Sequence, residues 1–233
     1  MLTEEIKQKI RYLAGISYPN ECCGFLTELG LMPIMNTSEQ PEHFAQIEAA
    51  DYAKAEEQGI IFIYHSHAEE DNFSRQDITA CKALGVPFVM YCVKWDRFIV
   101  GNPNGGDLIA RDWIYGLHDC YDLIRSWYKQ ERSIELDDFQ RGEVSETRSE
   151  DWNVFAENFE AQGFIRLSPY GIKFQAGDVL LMQIASPNPN HLGLIFDADR
   201  QEFMHHLIDQ QSSIEPYGGF WAQHTIGILR YVG

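Results

Sequence analysis

Two histidines separated by one residue form the pattern in this sequence that most directly indicates chemistry. His65-Ser66-His67 ends the apolar run Ile60–Tyr64, which predicts a buried strand. Side chains alternate between the two faces of a strand, so His65 and His67 project from the same face. Asp77 follows shortly after. Two imidazoles and one carboxylate suit zinc and leave a fourth coordination position for water, which indicates a hydrolytic metal site.

The segment that contains Asp77 has a second explanation. Ser74-Arg75-Gln76-Asp77 fits a capping box, in which a serine and an acidic residue satisfy the free amides of a helix start. This predicts a helix over Arg75–Leu84, which Gly85 and Pro87 end. Taken alone, Ser74 and Asp77 are better explained as a helix start than as catalytic residues.

Glu21 adds to the pattern, and the five residues in order resemble the JAMM (MPN) metallopeptidase family. That family has a Glu on an early strand, then His-x-His, a spacer, Ser, two residues and Asp. The resemblance covers roughly the first hundred residues. It implies one zinc ion held by His65, His67 and Asp77. It also implies Glu21 as general base and Ser74 as the group that stabilises the oxyanion.

Length and composition fit an ordinary globular protein of two modest domains. The chain has 233 residues, of which 45% are hydrophobic and 23% charged. We expect no membrane insertion, because no apolar run reaches the ~20 residues of a membrane helix. We also expect no secretory signal, because the N-terminus is polar. Five cysteines, an odd number, disfavour a disulfide framework and favour a reducing cytosol.

The chain is strongly acidic. Its formal charge is −17, from 35 acidic and 18 basic residues. Such a charge disfavours binding to nucleic acid phosphates and to anionic membranes. Carboxylates concentrate in the segment Glu131–Asp151, which has few large apolar residues and predicts a mobile loop or lid.

Six consecutive turn-forming residues, 101–106, mark the clearest boundary in the chain. We therefore predict a domain over 1–101, a linker over 102–106 and a second domain over 107–233. Both domains are predicted to be α+β. For the first, the resemblance to the JAMM family implies an α/β sandwich with a mixed sheet. In the second, helices come first and closely spaced strands last, which predicts an antiparallel sheet.

The second half of the chain contains a candidate thiol nucleophile. Asp119 is placed to cap a helix that begins at Cys120. The amides and dipole of a helix start stabilise a thiolate, so we expect the pKa of Cys120 to lie below that of a free thiol. A cysteine on an apolar helix face is nevertheless more often a core residue than a nucleophile.

Two histidines of a predicted hairpin favour the catalytic interpretation. His191 opens one strand, and His205 lies on the next strand beyond the turn 197–201. With an odd-length turn and no bulge, His205 faces the same side as His191 and Gly193, and His206 points away. We expect His205 to lie opposite Gly193 and to reach His191 diagonally.

A cysteine at a helix start, a histidine on a strand and a polar residue on the adjacent strand resemble the papain-like NlpC family of cysteine peptidases. The likeness covers roughly residue 107 to the C-terminus. It implies Cys120 as nucleophile, His191 as base and His205 as the residue that orients it. The Ser-Gly usual after the cysteine is replaced here by Tyr121-Asp122.

The order of the two modules resembles the tail-tip assembly protein K family of lambda-like siphophages. This resemblance implies a phage tail peptidase that cleaves peptidoglycan stem peptides and has other tail-tip proteins as partners. It also implies a location in the host cytoplasm during assembly, or in the tail tip of the virion. Two alternatives remain: a structural assembly protein whose sites are unused, and a cytosolic isopeptidase that acts on a ubiquitin-like partner.

Overall fold

The computed structural model describes residues 2–139, 141 and 154–233. It divides into two compact units, Met1–Asn104 and Gly105–Gly233. The division falls inside the segment 102–106 that the sequence analysis treats as a linker. Much of the predicted acidic loop or lid lies outside the described residues.

The N-terminal unit is built around a five-stranded mixed sheet. Its elements are α1 Glu4–Ser17, β1 Cys23–Thr27, β2 Gly30–Ile34, α2 Ala49–Glu57, β3 Ile60–His67, α3 Arg75–Leu84, β4 Phe88–Cys92 and β5 Arg97–Gly101. The strand order is β2-β1-β3-β4-β5. Among the strand pairs described in this unit, β3–β4 is parallel and the others are antiparallel. The predicted mixed sheet is confirmed.

Packing against the central strand β3 determines which way its histidines face. Helix α1, capped by the Thr3 hydroxyl, buries Ile10 against one face of the sheet, in a cluster that includes Phe62 and Tyr64. Because side chains alternate along a strand, His65 and His67 project from the opposite face. The N-terminus of α3 lies on that face.

The C-terminal unit contains an antiparallel six-stranded sheet of order β10-β9-β8-β7-β11-β6. Its elements are α4 Cys120–Trp127, a π-helical turn Tyr128–Arg132, α5 Val154–Ala161, β6 Phe164–Leu167, β7 Val179–Met182, β8 His191–Asp197, β9 Glu202–His205, β10 Ser213–Pro216, α6 Gly219–His224 and β11 Thr225–Tyr231. The predicted α+β class is confirmed. Strands β6 and β10 and helix α6 were not predicted from the sequence.

Each face of this sheet has its own core. On one face, α4 and α5 bury side chains such as Ile124 and Phe159. Leu136 joins that core, so the acidic stretch is anchored there by this apolar side chain, while neighbours such as Glu135 and Asp137 are exposed. The other face buries Phe203 and Ile228, with Trp221 of α6 packed against them. No helix among the described residues is long and apolar enough to cross a membrane.

A paired glycine substitution tests the packing of the N-terminal sheet. A Cβ on Gly24 of β1 would lie 2.7 Å from the Tyr64 hydroxyl and would also meet the Met32 carbonyl oxygen, whereas one on Gly15 of α1 would meet nothing within 4 Å. We expect Gly24→Ala to cost roughly 1–3 kcal/mol. Gly15→Ala should stabilise the unit by up to about 1 kcal/mol. Hydrogen exchange of the β1 and β3 amides, followed by mass spectrometry, measures both effects. Equal protection in the two variants would contradict this packing.

Candidate functional sites

Three side chains of the N-terminal unit converge on one point. The Nε2 atoms of His65 and His67 are 3.1 Å apart. The Asp77 carboxylate places Oδ1 3.3 Å from His65 Nε2 and Oδ2 3.5 Å from His67 Nε2. One donor atom from each of the three residues lies within 4.8 Å of the others. Both histidines are buried. Two imidazoles and a carboxylate in this arrangement fit a divalent metal ion.

The start of α3 orients the Asp77 carboxylate. Ser74 is the N-cap, and its hydroxyl accepts a hydrogen bond from the Asp77 amide. In return, Asp77 Oδ2 accepts from the Ser74 amide at 2.8 Å and from the Ser74 hydroxyl at 2.6 Å. The predicted capping box is therefore present, and it turns Asp77 Oδ1 toward His65. Asp77 thus serves both the capping box and the ligand set: Oδ2 accepts the capping hydrogen bonds, while Oδ1 faces His65.

Glu21 lies two residues before β1 and is buried beside the histidines. Its Oε1 atom is 3.6 Å from His67 Nε2. The Glu21 amide donates to the Pro41 carbonyl, and its carbonyl accepts from the Asn36 side chain. Ser66, between the two histidines, accepts a hydrogen bond from the Cys22 amide through its hydroxyl. These bonds fix the segment that carries Glu21 against β3.

Burial and mutual charge control protonation in this cluster. Burial alone would lower the pKa of His65, but the Asp77 carboxylate outweighs it and raises that pKa above its ordinary value. Burial opposes ionisation of Asp77, yet His65 and hydrogen bonds from neighbouring side chains hold its pKa well below the usual range. Burial raises the pKa of Glu21, which the two histidines only partly offset. The surroundings therefore favour positive charge between the two imidazoles and Asp77.

The second cluster of functional side chains surrounds a cavity of about 270 Å³ in the C-terminal unit. Cys120 and His191 both line it. Cys120 is partly exposed, whereas the other four cysteines of the chain are buried. The structure thus places the predicted nucleophile and the predicted base at one cavity.

Asp119 fixes the position of Cys120. It is the N-cap of α4, and its Oδ1 atom accepts from the amides of Tyr121 and Asp122, both at 3.0 Å. Its Oδ2 atom accepts from the Gly116 amide and from the Arg141 guanidinium, both at 2.8 Å. Arg141 is buried and also lines the cavity. The first turn of α4 is therefore held by an ion pair as well as by its cap.

His191 and His205 contact each other across neighbouring strands. His205 pairs with Gly193, and His191 Nε2 lies 3.3 Å from His205 Nδ1. The expected turn geometry was only partly right. The loop between the paired Asp197 and Glu202 has an even number of residues, but a bulge before Asp197 shifts the register back. These two deviations cancel, so the predicted contact forms.

The missing side chain of Gly193 leaves room for the ring of Phe203. A Cβ at this position would lie 2.7 Å from the Phe203 ring. Phe203 in turn packs on His205, with the ring centroids 4.7 Å apart. With no side chain at Gly193, the Phe203 ring can occupy this space and pack against the His205 ring.

The prediction for His206 was wrong. His206 does not point away but is buried and lines the Cys120 cavity. Strand β9 ends at His205, so the alternation that would send the next side chain to the opposite face no longer applies. The imidazole Nε2 of His206 lies 3.1 Å from the Gln210 carbonyl oxygen.

The surroundings of Cys120 also correct the expected pKa of its thiol. Burial and then the adjacent Asp119 charge raise the pKa of Cys120 to about 12, although the Leu192 amide favours the thiolate. Burial, followed by the nearby His205 and His206, lowers the pKa of His191 to about 3. The helix start was expected to lower the thiol pKa, but desolvation outweighs it here. With these pKa values the thiol and the imidazole that line the cavity are both neutral at rest.

Several residues at the cavity had no catalytic signal in the sequence. Trp113, Tyr115 and Arg141 line it but come from segments without a recognisable motif. Arg141 lies within an acidic stretch that predicted only a loop. Its pairing with Asp119 depends on the fold and could not be inferred from spacing.

Comparison with known proteins places each unit in a family. Residues 3–105 match the family of prokaryotic homologs of the JAB domain, and residues 105–230 match the NlpC/P60 family. The chain is 30% identical to tail tip assembly protein K of Escherichia phage N15, over 94% of this chain and 90% of that protein. It is 31% identical to tail tip assembly protein K of Escherichia phage lambda, over 78% of this chain and 87% of that protein. The chain therefore belongs to the tail tip assembly protein K family, with a JAB-like domain followed by an NlpC/P60 domain.

Proposed function

We propose that the C-terminal unit is a cysteine peptidase that cleaves the stem peptides of peptidoglycan. The observation that carries this proposal is the cavity shared by Cys120 and His191, with His205 in contact with the imidazole from behind. Membership of the NlpC/P60 family supports the same activity. A thiol and an imidazole at one cavity can transfer an acyl group from an amide bond, which is the chemistry that cleavage of a stem peptide requires.

His191 acts first as the base. Its Nε2 atom is engaged by His205, so Nδ1 is the nitrogen that takes the thiol proton as Cys120 Sγ attacks the scissile carbonyl carbon. The protonated imidazole then gives this proton to the departing amine, and the C–N bond breaks. Water, deprotonated by the same imidazole, hydrolyses the thioester and releases the acid. The neutral resting pair requires the proton to move during attack rather than before it.

The walls of the cavity suit a short peptide. Aromatic side chains such as Trp113, Tyr115 and Phe155 supply apolar surface, while Asp119 and Arg141 supply charge. Pockets that bind small ligands commonly combine an apolar lining with a few polar groups. A volume of about 270 Å³ accommodates the few residues next to a scissile bond.

We propose that the N-terminal unit is a zinc-dependent amide or isopeptide hydrolase. His65, His67 and Asp77 would hold one zinc ion, which supplies a polarised water when bound. Glu21, buried beside His67, is the proposed general base. Ser74 is proposed to stabilise the oxyanion, although its hydroxyl donates to Asp77 in this structure.

A role in tail assembly follows from the relatives. Both of the relatives described above are named as tail tip assembly proteins. We propose other tail-tip proteins as partners, and the host cytoplasm or the virion tail tip as the location. These names also favour the second candidate function, a structural assembly protein whose sites are unused.

Digestion of purified peptidoglycan sacculi distinguishes the peptidase from the structural protein. We expect the intact chain to release peptide fragments that mass spectrometry identifies. Cys120→Ser and His191→Ala should each slow release by roughly a thousand-fold or more, because each removes a member of the acyl-transfer machinery. His224→Ala, a histidine of the same unit that does not line the cavity, is the matched control and should match wild type. Equal release by wild type and Cys120→Ser would favour the structural function.

The protonation state of the thiol predicts how alkylation depends on pH. Cys120 should react with iodoacetamide before the four buried cysteines, because it alone is partly exposed. Burial raises the pKa of Cys120 to about 12, so its rate should keep rising up to about pH 10, where a free thiol has already levelled off. Rates for each cysteine come from peptide mass mapping across pH. A plateau near neutral pH would show a resting thiolate–imidazolium pair instead.

A further inference from the structure

The series of side-chain contacts that begins at His191 does not end at His205. On its far side, His205 Nε2 lies 3.2 Å from Glu215 Oε1. The other carboxylate oxygen of Glu215, Oε2, accepts a hydrogen bond from the Trp221 indole N–H at 3.1 Å. The line His191–His205–Glu215–Trp221 therefore connects four side chains from β8, β9, β10 and α6.

Protons can occupy this line in two ways. If His191 Nε2–H donates to His205 Nδ1, then His205 carries its proton on Nε2 and presents it to the Glu215 carboxylate. The Nδ1 atom of His191 is then bare and able to accept the thiol proton. If instead His205 Nδ1–H donates to His191, a lone pair on His205 Nε2 faces the carboxylate. His191 then carries its proton on Nδ1 and cannot act as a base there.

We propose that Glu215 is a positioning residue that selects the catalytically competent tautomers of His205 and His191. This inference rests on the proposed peptidase function. A carboxylate is only an acceptor, so it favours a proton on His205 Nε2 and disfavours a lone pair there. With its proton on Nε2, His205 presents a lone pair on Nδ1. This lone pair favours a proton on His191 Nε2, 3.3 Å away.

The surroundings hold Glu215 and His205 in place. His205 is buried, while the Glu215 side chain is 42% exposed at the edge strand β10. His205 Nε2 has no aligned hydrogen-bond partner, and Glu215 Oε1, at 3.2 Å, is the acceptor placed within reach of it. The Trp221 ring packs on His205, with centroids 4.6 Å apart and planes at 75°. Trp221 thus contacts both partners, by an edge-to-face ring contact with His205 and by a hydrogen bond to Glu215.

Burial keeps both histidines neutral, which is the state in which a tautomer choice matters. Burial lowers the pKa of His205, and Glu215 offsets this only in part. The pKa of His191 is lowered as well. A neutral imidazole has one proton for two nitrogens, so its position is decided by the strongest available acceptor.

Replacing Glu215 with glutamine is a sharp test, because both carboxylate oxygens face donors. Glutamine has one acceptor oxygen and one NH₂ donor. Whichever way the amide turns, it opposes either the Trp221 N–H or the His205 N–H with a donor. Turning the oxygen to Trp221 places the NH₂ group against His205 Nε2 and favours the proton on Nδ1. Glu215→Ala, which removes the carboxylate from an edge strand, is a second variant.

Long-range ¹H–¹⁵N correlation spectra of the imidazole rings report which nitrogen carries the proton. In the intact chain at neutral pH, we expect His191 and His205 to be Nε2–H tautomers. In Glu215→Gln, His205 should shift toward Nδ1–H. The turnover number on peptidoglycan fragments should fall roughly 10-fold to 100-fold with little change in KM. Glu202→Gln is the matched control: its carboxylate lies on β9 next to Arg200, and both readouts should match wild type.

The two readouts separate this inference from the proposed function. If wild type does not cleave peptidoglycan but Glu215→Gln still shifts the tautomer, the peptidase function fails and the positioning role stands. If both Glu215 variants keep the wild-type tautomers, the positioning role is refuted, whatever the hydrolysis assay gives.

Discussion

Both candidate sites depend on two buried imidazoles held about one hydrogen bond apart. The nitrogens are 3.1 Å apart in the pair His65–His67 and 3.3 Å apart in the pair His191–His205. Two imidazole nitrogens this close repel each other if both carry a proton or if both present a lone pair, so each pair needs a cation or a single shared proton between them. Their surroundings differ. Carboxylates lie on the same side as both Nε2 atoms of the first pair, which suits a metal ion. In the second pair Nε2 meets Nδ1, which suits one proton.

In each unit, the capped start of a helix positions a side chain of the candidate site. An acidic side chain caps the first turn of a helix in both: Asp77, the third residue of α3, closes the capping box that Ser74 begins, and Asp119 is the N-cap of α4. In the N-terminal unit the Asp77 carboxylate is itself turned toward the histidines. In the C-terminal unit the cap precedes Cys120, and Arg141 neutralises its charge. Helix starts thus supply rigid positions beside strands that carry histidines, and the sheets supply the distances between the side chains.

Local patterns were enough to predict the elements that carry Cys120, His65 and His67, because capping and strand alternation act over a few residues. The contact between His191 and His205 was also predictable from parity, although a bulge and an even loop replaced the expected turn. The features that the sequence did not predict depend on where a strand ends or on tertiary packing. The direction of His206 follows from where β9 ends, and the neighbours of Arg141 follow from the fold. The thiol pKa was mispredicted because burial cannot be read from a helix start.

The central claim is that the first histidine pair holds a metal ion and the second holds a proton. Metal content by inductively coupled plasma mass spectrometry tests it most directly, on the intact chain and on single alanine variants at His65, His67, His191 and His205. We predict about one zinc per chain in wild type and in the His191 and His205 variants. The His65 and His67 variants should lose most of it, since a three-ligand site tolerates no deletion. Full zinc occupancy in His67→Ala, or loss of zinc in His191→Ala, would contradict the account.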